Sequence, residues 1–200
     1  MIYFYILSTL EYENGKINQY GTAPNFQGGI LSLCTCKHWM RTFSNFINED
    51  DLWIAGLTGK NLIKKDGENF LYFLMKVGKK YNSHYDAWYD LPDNIRNIKC
   101  ASKNKFGDLF KPKENIKDKF DPNSYFEPLS DHSHNKLNGS GELMWHKDIK
   151  KIYQKPYVLL FGDPKYNFIW HKPIIKYKNE SLSQGQRKLK LKEFFQKLWN

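Results

Sequence analysis

The sequence predicts an α+β fold, in which a curved mixed sheet or a small β-barrel is flanked by short helices. Residues 2–7 and 70–77 are apolar, β-branched and aromatic almost throughout, which is typical of strands buried on both faces. Residues 38–46 carry apolar side chains at helical spacing, and residues 82–91 do the same. Strong strands interspersed with short helices, with no internal repeat, favour the α+β class.

Turn signals separate several of the strands. The dipeptide Asn14-Gly15 predicts a hairpin or a loop within residues 11–20, because these residues tolerate the positive φ of a tight turn. Residues 156–161 form an apolar run that predicts a buried strand. Gly162-Asp163-Pro164 predicts the turn after it, and residues 166–170 predict its antiparallel neighbour.

The length of 200 residues fits one domain with a C-terminal tail. We expect residues 1–180 to form a single α+β domain, with an irregular excursion at about residues 92–130 where prolines prevent long regular elements. Residues 181–200 predict a basic amphipathic helix docked on this domain, with a capping box at Ser183 and Gln186. Its apolar stripe is Leu191, Phe194, Phe195 and Leu198. Alternatively, the basic face of this helix binds nucleic-acid phosphates or an anionic membrane surface.

The composition narrows the class of partner. The chain has 31 Lys and Arg against 21 Asp and Glu, a formal net charge of +10, which favours nucleic acid first and membrane surfaces second. A lysine-rich composition without a basic patch would give the same charge. Three cysteines form no even disulfide framework, and residues 1–10 lack the flanks of a signal peptide. Since no apolar run reaches membrane-spanning length, we expect a cytoplasmic protein without a membrane partner.

Residues 21–60 concentrate the features of a binding loop. Turns rich in glycine, proline and asparagine open and close this stretch, and glycine permits close backbone approach to a ligand. The polar side chains that these turns could present around one concave spot are Asn25, Lys37, Arg41 and Lys60. One amide with three cations suits a planar anionic ligand such as a nucleotide.

The first functional hypothesis is recognition of a nucleotide or a nucleic-acid base. Asn25 would pair with a base edge, and the three cations would hold phosphate. Trp53 would stack on the base, with Trp39 and Phe26 as alternative stacking residues. The competing interpretation is that Asn25 stabilises its own turn and that Trp53 fills the core.

The second hypothesis is an enzyme that acts on a nucleotide or a modified base. His132 or His134 would serve as the general base, and Asp131 would orient the imidazole. Cys34 or Cys36, which lie close to a lysine, would supply a nucleophilic thiolate. The competing interpretation is a solvated histidine loop and two buried cysteines.

A metal site is the weakest of the hypotheses. Cys34, Cys36 and His38 alternate along the chain, whereas zinc sites normally use cysteine pairs with two to four residues between the two cysteines. No second pair of this kind exists in the sequence. The sequence therefore predicts no metal and no cofactor.

Residues 21–60 resemble one known family, the second of the series called nucleotide modification associated domains. The positions that carry the resemblance are residues 2–7, Gly21, Ala23, Pro24, Asn25, Cys36, Lys37, Arg41, Trp53, Ile54 and Gly56. Similar features follow at residues 132–134 and 158–161. The sequence departs from the family pattern at Phe26-Gln27, His38 and Asp51-Leu52. The resemblance implies a role near nucleotide or DNA-base modification in bacteria or their phages.

A second resemblance concerns the fold alone. Residues 53–57, residues 70–77 and the helix after them look like the core of PUA-like barrels, which include the EVE and ASCH readers of modified bases. This similarity implies a barrel-like sheet and a recognition function rather than catalysis.

Overall fold

The computed structural model describes residues 1–21, 23–44, 47–48, 52–64, 67–100, 107–128, 136–150, 157–178 and 185–199. The chain divides into two compact units. The first unit consists of Met1–Tyr20, Asn48–Val77 and Gly162–Asn200, and the second consists of Gly21–Ile47 and Gly78–Phe161. Whether residues 1–180 fold as one domain stays a prediction.

The described part of the chain contains ten strands and four α-helices. The strands are β1 (Ile2–Ile6), β2 (Leu10–Glu13), β3 (Lys16–Gln19), β4 (Ser32–Leu33), β5 (Trp53–Leu57), β6 (Asn69–Tyr81), β7 (Leu159–Ile169), β8 (Lys176–Tyr177), β9 (Arg187–Leu189) and β10 (Leu198–Trp199). The helices are α1 (His38–Ser44), α2 (His84–Asp90), α3 (Asp93–Cys100) and α4 (Leu191–Phe195). Each described helix is too short to cross a membrane.

The first unit is built on a mixed sheet. Its strands follow the order β10-β8-β6-β5-β1-β9. β1 runs parallel to β5, whereas the β5–β6, β6–β8 and β1–β9 pairs are antiparallel. Together with the short helices, this curled mixed sheet confirms the predicted α+β class.

The core of the first unit explains why β1 is so apolar. Two of its side chains join a buried cluster, which contains Ile2, Phe4, Ala55, Leu57, Leu71, Leu74, Tyr177 and Phe194. Gly56 in β5 is required by packing, because a Cβ there would lie 2.2 Å from side-chain carbons of Leu7 and Phe73. The register of the β5–β6 ladder shifts between Gly56 and Leu57, as expected beside such a close approach.

The C-terminal segment corrects one prediction. Instead of a helix over residues 181–200, α4 spans five residues between β9 and β10, and residues 181–184 lie outside the described chain. Leu189 pairs with Ile2, so residues that would have formed the first helical turns complete the edge of β1 instead. Backbone pairing with an exposed strand edge thus overrides helical spacing. Phe194 is buried, whereas Phe195 is 43% exposed.

One of the two predicted turns is present in the first unit. β2 and β3 form the hairpin expected from the Asn-Gly dipeptide. The turn predicted at residues 162–164 and the separate antiparallel strand predicted at residues 166–170 are not observed, because residues 159–169 form one strand, β7, which pairs with β4 and β6. A Cβ on Gly162 would lie 2.0 Å from Oδ1 of Asn167, and Oδ1 of Asp163 accepts a hydrogen bond of 2.9 Å from the N–H of Lys165. Glycine is therefore needed at residue 162, because any side chain there would collide with Asn167.

The second unit combines α1, α2 and α3 with the pairing of β4 and β7, in which Ser32 faces Phe161. Its apolar cluster contains Cys34, Tyr81, Ala87, Trp88, Leu91, Leu109, Leu159 and Phe161. The prediction of irregular structure at about residues 92–130 is wrong for its first part, because residues 93–100 form α3. Ile95 and Cys100 pack against the cluster, so burial of one helix face stabilises α3 despite its polar composition.

Candidate functional site

The predicted site residues are divided between the two units. The second unit contains Asn25, Cys36, Lys37 and Arg41, and the first contains Trp53 and Lys60. The candidate catalytic residues Asp131, His132 and His134 lie outside the described residues. The structure therefore describes three of the five predicted nucleotide-binding residues within one unit, where their contacts can be compared.

Arg41 lies on the buried face of α1 and is fully enclosed. Its Nη1 donates to the carbonyl of Cys34 at 2.5 Å, and its Nε donates to the carbonyl of Cys36 at 2.9 Å. Its Nη2 donates to Oδ1 of Asp148 at 3.0 Å. All three guanidinium nitrogens thus hold protein oxygens, and Arg41 would have to leave these partners to reach a phosphate.

Asp148 is the carboxylate on which this region converges. Its Oδ1 accepts from Arg41 and from the backbone N–H of Cys36, and it lies 2.7 Å from Nε2 of His38. The His38 ring stacks on Tyr157 with the ring centroids 4.4 Å apart, and its side chain remains 27% exposed. We call these five residues the Arg41 cluster. Burial raises the pKa of the Tyr157 hydroxyl.

The backbone beside the Arg41 cluster has an unusual conformation. Cys36 and Lys37 have φ values of 59° and 47°, a region that non-glycine residues rarely occupy. Arg41 bonds to the carbonyls of Cys34 and Cys36, and the carbonyl of Lys37 accepts the N–H of Arg41. Such strain persists where the surroundings hold it in place. Partial burial lowers the pKa of the Lys37 ammonium, and the nearby Cys36 opposes that shift.

The opposite face of α1 presents two aromatic rings. Trp39 is 58% exposed and Phe43 is 48% exposed, and their rings stack with centroids 6.2 Å apart and planes 23° apart. Met40, Arg41 and Ser44 lie on the buried side. We call Trp39 and Phe43 the α1 aromatic pair. The sequence identified Trp39 as an alternative stacking residue and missed Phe43, although a spacing of four residues places both on one helix face.

A second buried polar group holds the loop that contains Asn25. Asn25 is fully buried, and its Oδ1 accepts from the N–H of Gln27 and from Nζ of Lys99, each at 3.0 Å. Lys99 also donates to the carbonyls of Asn25 and Ile30 at 3.3 and 2.6 Å. These contacts match the interpretation that Asn25 stabilises its own turn. Recognition of a base edge by this amide stays a prediction.

Asp108 lies near this ammonium group and is also fully buried. Its carboxylate accepts from the hydroxyl of Ser32 and from the N–H of Cys34, at 3.0 and 3.1 Å. We call Asn25, Ser32, Lys99 and Asp108 the Lys99 network. Burial lowers the pKa of Lys99 and raises that of Asp108, and the two opposite charges moderate both shifts. Burial likewise raises the pKa of Cys34 well above its usual value, which disfavours this thiol as a nucleophile.

The two predicted residues in the first unit have different surroundings. Trp53 begins β5, is partly buried and packs against the apolar cluster, as the core-filling interpretation expects. Its ring centroid also lies 6.0 Å from that of Tyr166. Lys60 is exposed in the turn after β5. Sequence reasoning missed Tyr166, whose exposed ring becomes recognisable only beside Trp53.

Within the described ranges, no group of three or more His, Cys, Asp or Glu side chains is arranged to hold a metal ion. Comparisons of the chain with protein-family models, with curated proteins and with solved structures found no match. The resemblance to the nucleotide modification associated domain therefore stays a prediction.

Proposed function

We propose that the protein recognises a nucleotide or a nucleic-acid base, which stacks on the α1 aromatic pair. The observation that supports this proposal is the exposure of Trp39 and Phe43 on a helix whose other face is tied down by the Arg41 cluster. Two exposed rings, stacked with their planes 23° apart, offer an apolar surface on which a base can stack. Stacking of a base on an aromatic side chain contributes about 1–3 kcal/mol.

The charges around this platform favour an anionic ligand. Lys37 directly precedes α1, and the whole chain carries a net charge of +10. A partly buried ammonium close to the stacked base would attract a phosphate group more strongly than a fully solvated one. In this proposal Arg41 is a positioning residue, since it fixes the backbone on both sides of the strained turn and does not contact the ligand.

The family resemblance suggests the setting of this activity. We therefore also propose that the recognised base is a modified one and that the protein acts in DNA modification in bacteria or phages. Trp39 would stack on the flat face of any base, because every base has such a face. Discrimination among bases would therefore have to come from polar groups around the platform.

The test is a binding titration with fluorescein-labelled single-stranded oligonucleotides and with free nucleotides, unmodified and modified, followed by anisotropy. We expect Trp39→Ala to weaken binding about tenfold, because one stacking contact is lost. Tyr89→Ala is the matched control, since Tyr89 is an aromatic residue of α2 in the same unit and is 59% exposed. Equal affinities of the two variants would refute the proposed platform.

A second candidate function is chemistry at a thiol, favoured by the contact between His38 and Asp148. A buried carboxylate orients the His38 imidazole, and the partly exposed Cys36 lies two residues away. We propose in this case that Cys36 is the nucleophile and that His38 accepts its proton. Alkylation by iodoacetamide, mapped by mass spectrometry, should then modify Cys36 before Cys34 and Cys100. His38→Gln should slow only the Cys36 reaction, and equal rates with and without this change would eliminate the assignment.

A further inference from the structure

We infer that the first unit carries a separate surface for single-stranded nucleic acid, formed by Trp53, Lys76, Tyr166 and Phe168. We call these residues the sheet surface. It shares the class of ligand with the proposed function but lies in a different unit and involves different residues. Each proposal can therefore fail without the other.

Three neighbouring strands create the centre of this surface. Trp53 in β5 lies directly opposite Lys76 in β6, so both side chains are on the same face of the sheet. Tyr166 in β7 meets both residues. Its ring lies 6.0 Å from that of Trp53, with planes 64° apart, and 5.5 Å from Nζ of Lys76. The ammonium is thus held over an aromatic face within cation–π distance.

The aromatic row continues along β7. Tyr166 and Phe168 are two residues apart and project from one face of the strand, as does Trp170 just after it. Phe168 and Trp170 stack with centroids 5.9 Å apart and planes 26° apart. Trp170 packs against the apolar cluster, whereas Tyr166 and Phe168 remain 42% and 41% exposed. Along this row, Trp170 therefore packs on the core of the unit, and the rings of Phe168 and Tyr166 face solvent.

The charge and the geometry favour nucleic acid as the occupant. The ammonium of Lys76 lies over the Tyr166 ring, and the exposed Lys165 directly precedes Tyr166 in the chain. The net charge of +10 also attracts polyanions. Aromatic side chains on a sheet bind bases by stacking on their faces. Those faces are accessible in single strands and covered by neighbouring base pairs in a duplex, so the inferred ligand is single-stranded.

The test uses the full chain and a fluorescein-labelled 15-nucleotide oligothymidylate, with anisotropy measured at several salt concentrations. We expect Tyr166→Ala and Phe168→Ala each to weaken binding about tenfold. Tyr166→Phe keeps the ring and should bind within about twofold of the unchanged chain. Lys76→Gln should lower the slope of log affinity against log salt by about one, as expected for one lost phosphate contact.

Tyr12→Ala is the matched control, because Tyr12 is a tyrosine of the same unit, 36% exposed and located in the β2–β3 hairpin. If Tyr166→Ala and Tyr12→Ala bind alike while far-ultraviolet circular dichroism shows both folded, the inference is wrong. Equal competition by duplex DNA would also overturn it. Loss of binding in Trp39→Ala alone would leave only the α1 platform, and loss in Tyr166→Ala alone would leave only the sheet surface.

Discussion

The Arg41 cluster and the Lys99 network both bury charged groups, but the two networks pair those charges differently. Each buries a cation and a carboxylate in the second unit, and each uses the cation to hold backbone carbonyls. Arg41 bonds directly to Asp148, whereas Lys99 bonds to oxygens of the loop and acts on Asp108 through space. The Arg41 cluster also borders a partly exposed histidine, while Asn25, Ser32, Lys99 and Asp108 are buried throughout.

This difference indicates where function can reside. The Lys99 network presents no accessible side chain, so we interpret it as a structural anchor for residues 25–30. The Arg41 cluster holds a strained turn and one face of α1, and it includes the partly exposed His38. The α1 aromatic pair lies on the opposite face of the same helix. Arg41, a buried cation that the sequence suggested as a ligand, holds backbone carbonyls in the structure, and its direct contact with a ligand stays a prediction.

The largest expected effect comes from breaking the direct ion pair. Arg41→Ala should lower the free energy of unfolding by about 3–5 kcal/mol, because it leaves the buried Asp148 carboxylate without its cation. Denaturation by urea measures this change. Lys79→Ala is the control, since Lys79 and Asp90 form an exposed pair worth about 1 kcal/mol or less. A loss for Arg41→Ala no larger than that of the control would contradict the role assigned to this arginine.

A smaller loss is expected in the Lys99 network. Asn25→Ala removes the Oδ1 that accepts from Lys99 and Gln27, so the free energy of unfolding should fall by about 1–3 kcal/mol. The exposed Asn123 is a matched asparagine in the same unit, and Asn123→Ala should change stability by about 0.5 kcal/mol or less. If Asn25→Ala is as stable as this control and binds nucleotides more weakly, Asn25 is a ligand-binding residue after all.

The smallest effect concerns the dependence of stability on pH. Burial raises the pKa of Asp108, so the folded state keeps its proton where the unfolded state has lost it, and stability falls as pH rises through the folded pKa. Asp108→Asn should abolish this loss, so its stability relative to the unchanged chain should increase as the pH rises above the ordinary Asp pKa of about 4.

Asp90 provides the control of opposite sign. Hydrogen bonds from Lys79 and Tyr81 lower the pKa of its carboxyl, so its contribution is present above the unfolded pKa and lost as pH falls through the folded pKa. Asp90→Asn should therefore lose more stability at neutral than at acidic pH. Parallel slopes for the two variants would mean that Asp108 is not buried in the way the structure describes.

Local pattern was enough to predict much of the first unit. The apolar run of β1, the strand at β5 and the Asn-Gly hairpin correspond to observed elements. The C-terminal segment could not be predicted in this way, because the spacing that suggests a helix competes with pairing of Leu189 to Ile2, a contact across nearly the whole chain. α3 escaped prediction for a similar reason, since packing against the apolar cluster stabilises it.

The candidate site shows the same division. Residue type identified Arg41, Lys37 and Trp39 as noteworthy, because cations and aromatics are the groups that bind nucleotides. The contacts of Arg41 depend on Asp148, which lies 107 residues after it and has no local signal in the sequence. Asn25 depends in the same way on Lys99, which is 74 residues away.

The sequence by itself determined the strands β1, β5 and β6, the helices α1 and α2, the Asn-Gly turn and the excess of positive charge, because each follows from neighbouring residues or from simple counts. Only the tertiary structure decided which charges are buried, which carboxylate each of them faces and which aromatic rings remain in solvent. Burial and pairing are set by contacts between distant parts of the chain, and the pattern of nearby residues does not contain them.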